Sequence, residues 1–357
     1  MERPLKIEVL INSPGPHDQV RVRDPFLALI SMGVDCRIHE RPFRFNSCVR
    51  PHSLVIWQRP LPISWQRQIE HLQWLRERGC LLLTEWDDHP SIFPAKVQEK
   101  LVQQSMAPLV ACHAIHSSSA TLAKVLSHYN PHVLVLENTT SSVPSLNLLK
   151  HERKKLRIFL GNQNRTAEYM SISNQLVEWL ESDPDIELVL IGDSELNETL
   201  EGQTVEHHPL LPYFDYRKIL SSCQMALLPL NYGKANRCKT VIKWVEAAAE
   251  SVAVVAGPEL YNNVEVGHKA SKTCSIAKNL KDTIPLARKL RLDLAKRKAM
   301  VSNSHDWVQK QWQLSQQLPQ RLDLYQKIWK RRSILDKKLI QNLGAKAPIL
   351  LQAPFCI

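Results

Sequence analysis

Short apolar runs that alternate with amphipathic stretches are the feature of this sequence that most restricts its fold. The runs have the length of buried strands, and the stretches between them have the length and periodicity of helices. Alternating strands and helices build a parallel sheet that is covered by helices. In the first part of the chain the apolar runs lie at 6–12, 34–39, 53–58, 80–86, 110–116 and 132–137, with helical candidates at 65–78 and 94–106.

The same alternation begins again after a polar, proline-containing stretch at 138–154, which is typical of a linker. Strands are predicted at 156–160, 187–191, 203–207, 225–229 and 252–256, with helices at 166–182, 214–222 and 240–250. Helices then dominate to about residue 340. A length of 357 residues also favours two domains, because single cores rarely grow beyond about 250–300 residues. The sequence therefore predicts two doubly wound α/β domains at 1–150 and 151–303, followed by C-terminal helices and a tail at 304–357.

The eight cysteines favour a reducing compartment, because they include no CxxC pair and no cluster with histidine. Several lie inside apolar runs, where a thiol behaves as a small hydrophobic side chain. The N-terminal stretch has a strand followed by a turn and lacks the features of a signal peptide. No run reaches the roughly 18 apolar residues of a membrane span. We therefore expect a soluble cytoplasmic protein.

The net charge of +11 indicates an anionic partner or a solvated basic surface. Much of the excess lies in two helical stretches, 288–298 and 326–338. Their basic and apolar residues suit peripheral contact with an anionic membrane, at its inner face, and a solvated helix face is the alternative interpretation. A nucleic-acid partner is not expected, because aromatic residues make up only 6% of the chain and no nucleic-acid motif is present.

Several motifs in the second half of the chain occur together in one enzyme family. They are IGD at 191–193, FDY at 214–216, IKW with EAAA at 242–249, and VAVVAGPE at 252–259. Together they resemble the donor half of the GT-B glycosyltransferases, of the group 1 type that makes bacterial polysaccharides and O-antigens. The strong match covers about 155–280, and the first half matches in pattern only, with 117–138 similar to the end of the family's acceptor domain.

This resemblance implies a fold and an activity. Two Rossmann-like domains would face each other across a cleft, and the C-terminal helices would cross back to the first domain. The enzyme would move a hexose or similar sugar from a nucleotide-diphosphate sugar to a glycan or lipid-linked acceptor. No cofactor besides the sugar donor is implied, and no metal, because GT-B enzymes typically need none.

The donor site is expected around a helix that begins near Thr240. Lys239, Lys243 and Glu246 are spaced i, i+4 and i+7, which would place them on one stripe of that helix. Cations and a helix N-terminus suit a diphosphate, and a carboxylate suits the hydroxyl groups of a ribose. The resemblance implies that Glu246 clamps the ribose. The alternative interpretation of Lys243 and Glu246 is an exposed ion pair of small energy.

One position departs from the family pattern. Many relatives have an E-x7-E motif whose first glutamate touches the transferred sugar, but Cys238 stands eight residues before Glu246. The contact with the sugar would then come from Asn236 or from nearby backbone amides. Further candidates for binding the donor are Arg165, Arg237 and Gly192, with a surface position as the alternative for the two arginines.

On the acceptor side, the candidates follow two predicted strands. His17 lies in the loop 13–18, and Asp87, Asp88 and His89 follow the run 80–86. Carboxylates and imidazoles at the carboxyl end of a strand suit a base or an acceptor-binding group. A plain loop is the alternative, and a metal site is a third interpretation.

Other functions stay open at this point. A nucleotide-sugar epimerase of GT-B type would use the same donor site without an acceptor. A catalytically silent subunit would account for Cys238, and a basic nucleic-acid-binding protein would account for the charge.

Overall fold

The structure is a computed structural model that describes residues 4–60, 63–161, 165–261, 270–347, 350 and 355. The chain forms two compact units. The first comprises Met1–Asn138 together with Gln317–Ile357, and the second comprises Thr139–Gln316. The C-terminal helices thus belong to the first unit. That the chain divides at residues 150 and 303 into domains with separate functions remains a prediction.

The first unit contains a parallel sheet of six strands within the described ranges. Its spatial order is β2-β1-β3-β4-β5-β6. Strands β3 and β4 are buried at every position, as expected for central strands that are covered on both faces. The bounds are β1 Lys6–Ile11, β2 Asp35–Glu40, β3 Leu54–Gln58, β4 Leu81–Trp86, β5 Ala114–Ser117 and β6 Val133–Val135.

The second unit contains a parallel sheet of the same size in its described part, in the order β12-β11-β10-β7-β8-β9. Its buried core contains side chains from four of the strands and from the helices around them. The bounds are β7 Leu156–Leu160, β8 Ile186–Ile191, β9 Val205–His208, β10 Met225–Leu228, β11 Ala253–Ala256 and β12 Ser275–Ile276.

Helices connect the strands, and several begin at a side-chain cap. Ser64 Oγ accepts a hydrogen bond from the amide of Arg67 at 3.3 Å, and Ser119 Oγ accepts one from Leu122 at 3.1 Å. The main helices of the first unit are Asp24–Ser31, Trp65–Glu77, Ala95–Gln103, Ala120–Leu126 and Arg332–Leu343. Those of the second are Thr166–Met170, Ser173–Ser182, Ser194–Thr199, Tyr213–Ser222, Ile242–Ala249, Thr283–Leu292 and Leu294–Gln311, and Leu314–Lys330 runs from the second unit into the first. Shorter helical segments are Pro16–Asp18, Gln19–Arg23, Phe45–Cys48, Pro90–Ile92, Ala107–Val110, Leu149–Glu152, Lys234–Arg237, Ala270–Thr273, Leu280–Asp282 and Gly344–Lys346.

The stretch predicted as a linker is built into the second unit. The backbone of Thr140 forms a bridge with Gln313, and Leu149–Glu152 is a 3₁₀ helix. Lys150 and His151 are buried at 4% and 1% exposure. The polar sequence predicts a free connection because the hydrogen-bond partners of Lys150 and His151 lie 71 to 100 residues away in the chain.

Both sheets have a topological switch point, where the order of strands reverses. It lies between β1 and β3 in the first sheet and between β7 and β10 in the second. Ligands of open α/β sheets bind beyond the carboxyl ends of the strands at such points. Within the described ranges, no helix combines the length and the apolar character that crossing a bilayer requires.

Candidate functional site

Arg165 lies at the switch point of the second sheet, just beyond β7. Its Nη1 donates to Asn236 Oδ1 at 3.1 Å and to Glu168 Oε1 at 3.2 Å. Asn236 follows β10 and donates in turn to the carbonyl of Asn231 at 2.9 Å. Two predicted residues that are 71 positions apart therefore meet at the edge where a ligand is expected.

Lys243 and Glu246 lie on the helix Ile242–Ala249, which follows β10. Glu246 Oε2 accepts from the hydroxyl of Tyr216 at 2.9 Å and lies 3.2 Å from Lys243 Nζ. The Lys243 ammonium also lies 4.1 Å from the centre of the Tyr216 ring, in a cation–π contact. Lys243 keeps 34% of its side chain exposed, whereas the side chain of Glu246 keeps 2%. The pair is thus a buried carboxylate with a partly open lysine, and not the exposed ion pair of the alternative interpretation.

The second carboxylate oxygen of Glu246 is the notable atom of this cluster. Both contacts of the carboxylate go to Oε2, and within the described part of the chain Oε1 accepts no hydrogen bond. The geometry leaves one strong acceptor for a hydroxyl donor from outside the chain.

Tyr261 is a buried tyrosine of the same unit. Burial raises the pKa of its hydroxyl, and the Arg165 cation opposes this increase.

Lys239 lies outside the predicted helical stripe. The helix begins at Ile242, and the amide of Lys239 donates to the carbonyl of Asn236 at 3.2 Å, at the end of the preceding turn Lys234–Arg237. The spacing i, i+4 and i+7 indicated one continuous helix because a sequence pattern does not show the break at 238–241. Only Lys243 and Glu246 share a helix.

Cys238 is 1% exposed, and its thiol donates to the carbonyl of Lys234 at 3.4 Å. The side chain at this position therefore packs against its own turn and is closed to a ligand. Arg237, by contrast, is exposed, and its Nε donates to Glu259 Oε2 at 3.1 Å. Glu259 also accepts from the amide of Gly233 at 3.3 Å, so it holds both ends of the turn.

Two glycines shape this edge of the sheet. Gly192 ends β8 with φ of 85°, in the left-handed region, and its carbonyl accepts from His207 Nε2 at 2.7 Å. Gly257 follows β11, and a Cβ there would collide with the backbone of Leu230. Gly192 is thus a turn residue of the candidate site, with its carbonyl directed to a neighbouring strand.

The first unit has a second polar cluster at its switch point. The buried Gln58 ends β3 and accepts from the amides of Asn12 and Ser13 at 3.2 and 3.0 Å. Its Nε2 lies 3.3 Å from His17 Nε2, which also lies 3.2 Å from Arg59 Nη1. The loop after β1 is thereby fastened to the end of β3.

Arg59 joins the predicted acceptor-side residues. Its Nε and Nη2 donate to the two oxygens of Asp87 at 2.5 and 2.6 Å, and Nη2 also donates to Asp88 Oδ2 at 2.8 Å. Arg21 approaches Asp87 from the other side, with Nε 3.5 Å from Oδ2, and pairs with Glu85. A π-helical turn at Gln19–Arg23 buries Arg21, and such turns are frequent at functional sites.

These charges set the protonation of the cluster. Burial would raise the pKa of Asp87, but Arg21 and Arg59 together hold it below the usual range. Burial and the Arg59 cation lower the pKa of His17, which is therefore neutral at pH 7. Because Gln58 and Arg59 both offer N–H groups to His17 Nε2, that nitrogen accepts and the proton lies on Nδ1. Asp87 is a structural anion, and Asp88 is the more exposed carboxylate at 19% against 8%.

The structure thus brings His17, Asp87 and Asp88 together in one cluster of the first unit. In the second unit it brings Lys243 together with Glu246, and Arg165 together with Asn236. His89 lies apart and caps the turn Pro90–Ile92. Sequence reasoning missed several partners of these residues, although Arg59 directly follows a predicted strand and three others lie inside or next to the quoted motifs. These are Arg21, Arg59, Tyr216, Glu259 and Tyr261.

The chain matches no protein-family model and no curated protein sequence. Solved structures do match. Sucrose-phosphate synthase from Thermosynechococcus elongatus aligns over 92% of this chain and 100% of its own, with a TM-score of 0.65 and 12% identity. HepE from Anabaena, in complex with UDP and glucose, aligns over 90% and 99%, with a TM-score of 0.63 and 12% identity.

A TarM mutant from S. aureus, in complex with Fondaparinux, alpha-GlcNAc-glycerol and UDP, has a TM-score of 0.57 and 10% identity. The match covers 76% of this chain, which spans about half (55%) of TarM. These similar structures are glycosyltransferases of the GT-B fold. The two parallel sheets and these alignments show that the chain has the two-domain α/β fold of the GT-B glycosyltransferases.

Proposed function

We propose that the protein is a glycosyltransferase that moves a sugar from a nucleotide-diphosphate sugar to a glycan or lipid-linked acceptor. The observation that carries the proposal is the Glu246 carboxylate, which is buried, held at one oxygen and open at the other. It lies beside the partly open cation of Lys243. A ribose hydroxyl satisfies the open oxygen, and a diphosphate satisfies the cation.

Arg165 supplies the second cation for the diphosphate in this proposal. Glu168 and Asn236 occupy only Nη1 of its guanidinium among the described residues, which leaves Nε and Nη2 as donors. When the bond between sugar and diphosphate breaks, negative charge grows on the departing phosphate oxygen. Fixed cations and the first amides of the helix Ile242–Ala249 stabilise that charge without reorganisation.

The acceptor is bound by the first unit in this proposal, at the cluster around Arg59. Asp88 is the group that we assign to the acceptor hydroxyl, because Asp87 is neutralised by two arginines and His17 already accepts at Nε2. Two of the similar structures, HepE and the TarM mutant, are complexes with UDP and a sugar or sugar derivative, which supports a nucleotide-sugar donor here. We also propose that the protein acts in the cytoplasm and that its basic helical stretches contact an anionic membrane.

Calorimetry of UDP, GDP, ADP and dTDP binding tests the donor site and identifies the base. We expect Lys243→Ala to weaken binding of the preferred nucleotide by about 10- to 150-fold, because a charge-assisted contact contributes about 1.5–3 kcal/mol. Lys218→Ala is the matched control, since Lys218 is an exposed lysine of the same unit. Equal affinities of the wild type and both variants would contradict the proposal.

Glu246→Ala tests the ribose contact separately. Its loss of affinity should be large for the ordinary nucleotide and should nearly vanish for the 2′,3′-dideoxy analogue, because the analogue lacks the hydroxyls that Glu246 binds. The same loss with both nucleotides would mean that Glu246 only supports the local structure, through Tyr216 and Lys243.

We further propose that transfer needs no metal, because Lys243 and Arg165 meet the charge of the diphosphate. Turnover should survive EDTA. If EDTA abolished turnover and Mg²⁺ or Mn²⁺ restored it, the proposal of metal-free transfer would be wrong. Asp87 and Asp88 would then be the candidate metal ligands. Product analysis in the same assay separates transfer from epimerisation or hydrolysis of the donor.

A further inference from the structure

A cavity of about 700 Å³ opens in the first unit beside the ends of β1, β2 and β3. This volume lies within the range of small-molecule sites. Its described lining contains four aromatic side chains, counting the imidazole of His71, and three arginines, and no aspartate or glutamate. The lining residues are Asn12, Arg41, Pro42, Phe43, Arg44, Phe45, Asn46, Ser47, Trp57, Pro60, Ile63, Arg67 and His71.

The aromatic side chains form one packed wall. Phe45 stacks on His71 with ring centres 4.4 Å apart and meets Trp57 edge to face at 4.6 Å. Phe43 extends the wall, 6.1 Å from Phe45. Apolar ring faces of this kind suit the C–H face of a sugar. Trp57 Nε1 and His71 Nδ1 are buried and have no hydrogen-bond partner in the described part of the chain, which is typical of a site that a bound molecule or water completes.

The arginines give the cavity a positive charge that the protein does not neutralise. Arg41, Arg44 and Arg67 form no ion pair with any described residue, whereas Arg23 and Arg50 of the same unit each pair with two carboxylates. Among cationic side chains, the planar guanidinium of arginine best matches the geometry of a carboxylate or a phosphate, because it can donate two parallel hydrogen bonds. The charge of the cavity is therefore available to an anionic ligand.

His71 adds no charge to this set at neutral pH. Burial lowers the pKa of its imidazole, and the nearby Arg67 cation lowers it further, while Glu70 opposes them weakly. The ring is thus a neutral part of the wall, and the attraction for an anion comes from the three arginines.

The cavity also adjoins the acceptor-side cluster. Asn12 lines the cavity, and its backbone amide donates to Oε1 of Gln58. Nε2 of the same Gln58 lies 3.3 Å from His17 Nε2. Pro60 directly follows Arg59. A ligand in the cavity would therefore extend toward His17, Arg59 and Asp88.

We propose that this cavity binds an anionic saccharide, with the sugar ring against the aromatic wall and its carboxylate or phosphate on Arg41, Arg44 and Arg67. Its assignment as the acceptor rests on the proposed glycosyltransferase function, whereas binding itself does not. The chain then selects an acceptor that carries a negative charge near the reacting end.

Binding of defined saccharides to the full-length protein tests this inference by calorimetry at low salt. The probes are a hyaluronan tetrasaccharide, which carries carboxylates, and tetra-N-acetylchitotetraose, which is neutral. Glucose 6-phosphate and glucose form a second pair that tests a phosphate in place of a carboxylate. We expect at least one anionic probe to bind tenfold or more tightly than its neutral partner, and we expect this preference to weaken with added salt.

The variant Arg41→Gln/Arg44→Gln/Arg67→Gln should lose this preference while keeping its thermal unfolding temperature, because all three side chains are exposed. A charge-matched control replaces the exposed cations elsewhere in this unit, Arg37, Lys96 and Lys124, by glutamine. The control should bind as the wild type does. Equal binding of charged and neutral probes would overturn the inference, as would an equal loss in both triple variants, which would indicate attraction by net charge alone.

Nucleoside-diphosphate binding by the same proteins separates this inference from the proposed function. If the wild type binds an anionic saccharide through the three arginines but binds no nucleotide, the cavity is a saccharide site and the transferase proposal fails. If it binds a nucleotide but no charged saccharide in preference to its neutral partner, the transferase proposal stands and the inference about the cavity is wrong.

Discussion

Asp87 and Asp88 are adjacent in the chain but have different surroundings. Both oxygens of Asp87 are held by Arg59, and Arg21 lies beside them. Asp88 accepts from Nη2 of Arg59 and has more than twice the exposed fraction of Asp87. Two residues that the sequence made equivalent candidates therefore have separate expected roles, one in binding or catalysis and one in holding the cluster together.

Asp88→Asn should lower turnover by tenfold or more and change donor affinity by less than twofold. A positioned carboxylate that handles an acceptor proton contributes about 10²–10⁴ in rate, and Asp88 belongs to the unit without the donor residues. Steady-state kinetics with donor calorimetry checks this. Asp323→Asn is the control, an exposed aspartate of the same unit. If Asp88→Asn kept the turnover of the wild type, the loop that carries Asp88 would have only a structural role.

Asp87→Asn should instead lower the free energy of unfolding, by up to about 3 kcal/mol at pH 7, because Arg59 and Arg21 then keep only Asp88 and Glu85 as counter-charges. The folded pKa of Asp87 lies below that of an unfolded aspartate, about 3.9. Its stabilising contribution is therefore complete above that value and declines as pH falls toward the folded pKa.

Urea unfolding of the wild type and Asp87→Asn at pH 7, 5 and 3 measures this dependence. The difference between the two proteins should be equal at pH 7 and 5 and smaller at pH 3. A difference that grew on acidification would mean that Asp87 is protonated in the folded protein.

At the scale of elements, the buried side chain of Lys150 caps the C-termini of two helices. Its ammonium donates to the carbonyls of Ser221 at 3.0 Å and Glu250 at 2.7 Å, at the C-termini of Tyr213–Ser222 and Ile242–Ala249. Cations stabilise helix C-termini, and here one cation serves a pair of them. Because the second helix carries Lys243 and Glu246, the position of the candidate donor site depends on this contact.

Burial lowers the pKa of Lys150 to about 8. An unfolded lysine has a pKa of about 10.4, so the unfolded chain binds more protons between these values and stability rises with pH. Relative to Lys150→Met, the wild type should gain roughly 3 kcal/mol between pH 7.5 and 10.5, an upper value for a shift of this size. Chemical unfolding across this pH range checks the sign. A constant difference between the two proteins would show that the amine titrates normally.

The elements themselves were largely predictable, because their hydrophobic periodicity is local. The strand predicted at 156–160 has those bounds, and the helices predicted at 65–78 and 214–222 end within one residue of their observed limits. What the sequence could not show are contacts across the fold. Arg59 with Asp87 and Tyr216 with Glu246 are separated by 28 and 30 residues, and no local pattern marks such pairs.

At the scale of the whole molecule, the chain leaves the first unit and returns to it. Residues 317–357 complete that unit, and Asp336 is fixed there by Arg76, with contacts of 2.6 and 3.0 Å, and by His113 at 3.3 Å. Burial would raise the pKa of Asp336, but His113 and Arg76 lower it, so the carboxylate is ionised at neutral pH. A buried ion pair thus fastens the helix Arg332–Leu343 to the helix Trp65–Glu77.

Asp336→Asn should destabilise the first unit by about 3–5 kcal/mol, because the buried Arg76 then loses the carboxylate that accepts two of its hydrogen bonds. Nucleoside-diphosphate affinity should change by less than twofold, because the donor residues belong to the second unit. Urea unfolding with calorimetry measures both. A large loss of nucleotide affinity in a protein that remains folded would assign the C-terminal helix a part in donor binding.

The hydrogen bonds of Thr140 have a consequence for how the protein is made. Its amide donates to Trp312 and its carbonyl accepts from Leu314, at 3.0 and 2.8 Å, so the second unit is closed where the chain enters and leaves it. On the ribosome this unit is complete while the first still lacks its final segment. Arg76 emerges 260 residues before Asp336, an interval of roughly 13–52 s at 5–20 residues per second. The first unit therefore finishes folding after the second, because it waits for the segment that carries Asp336.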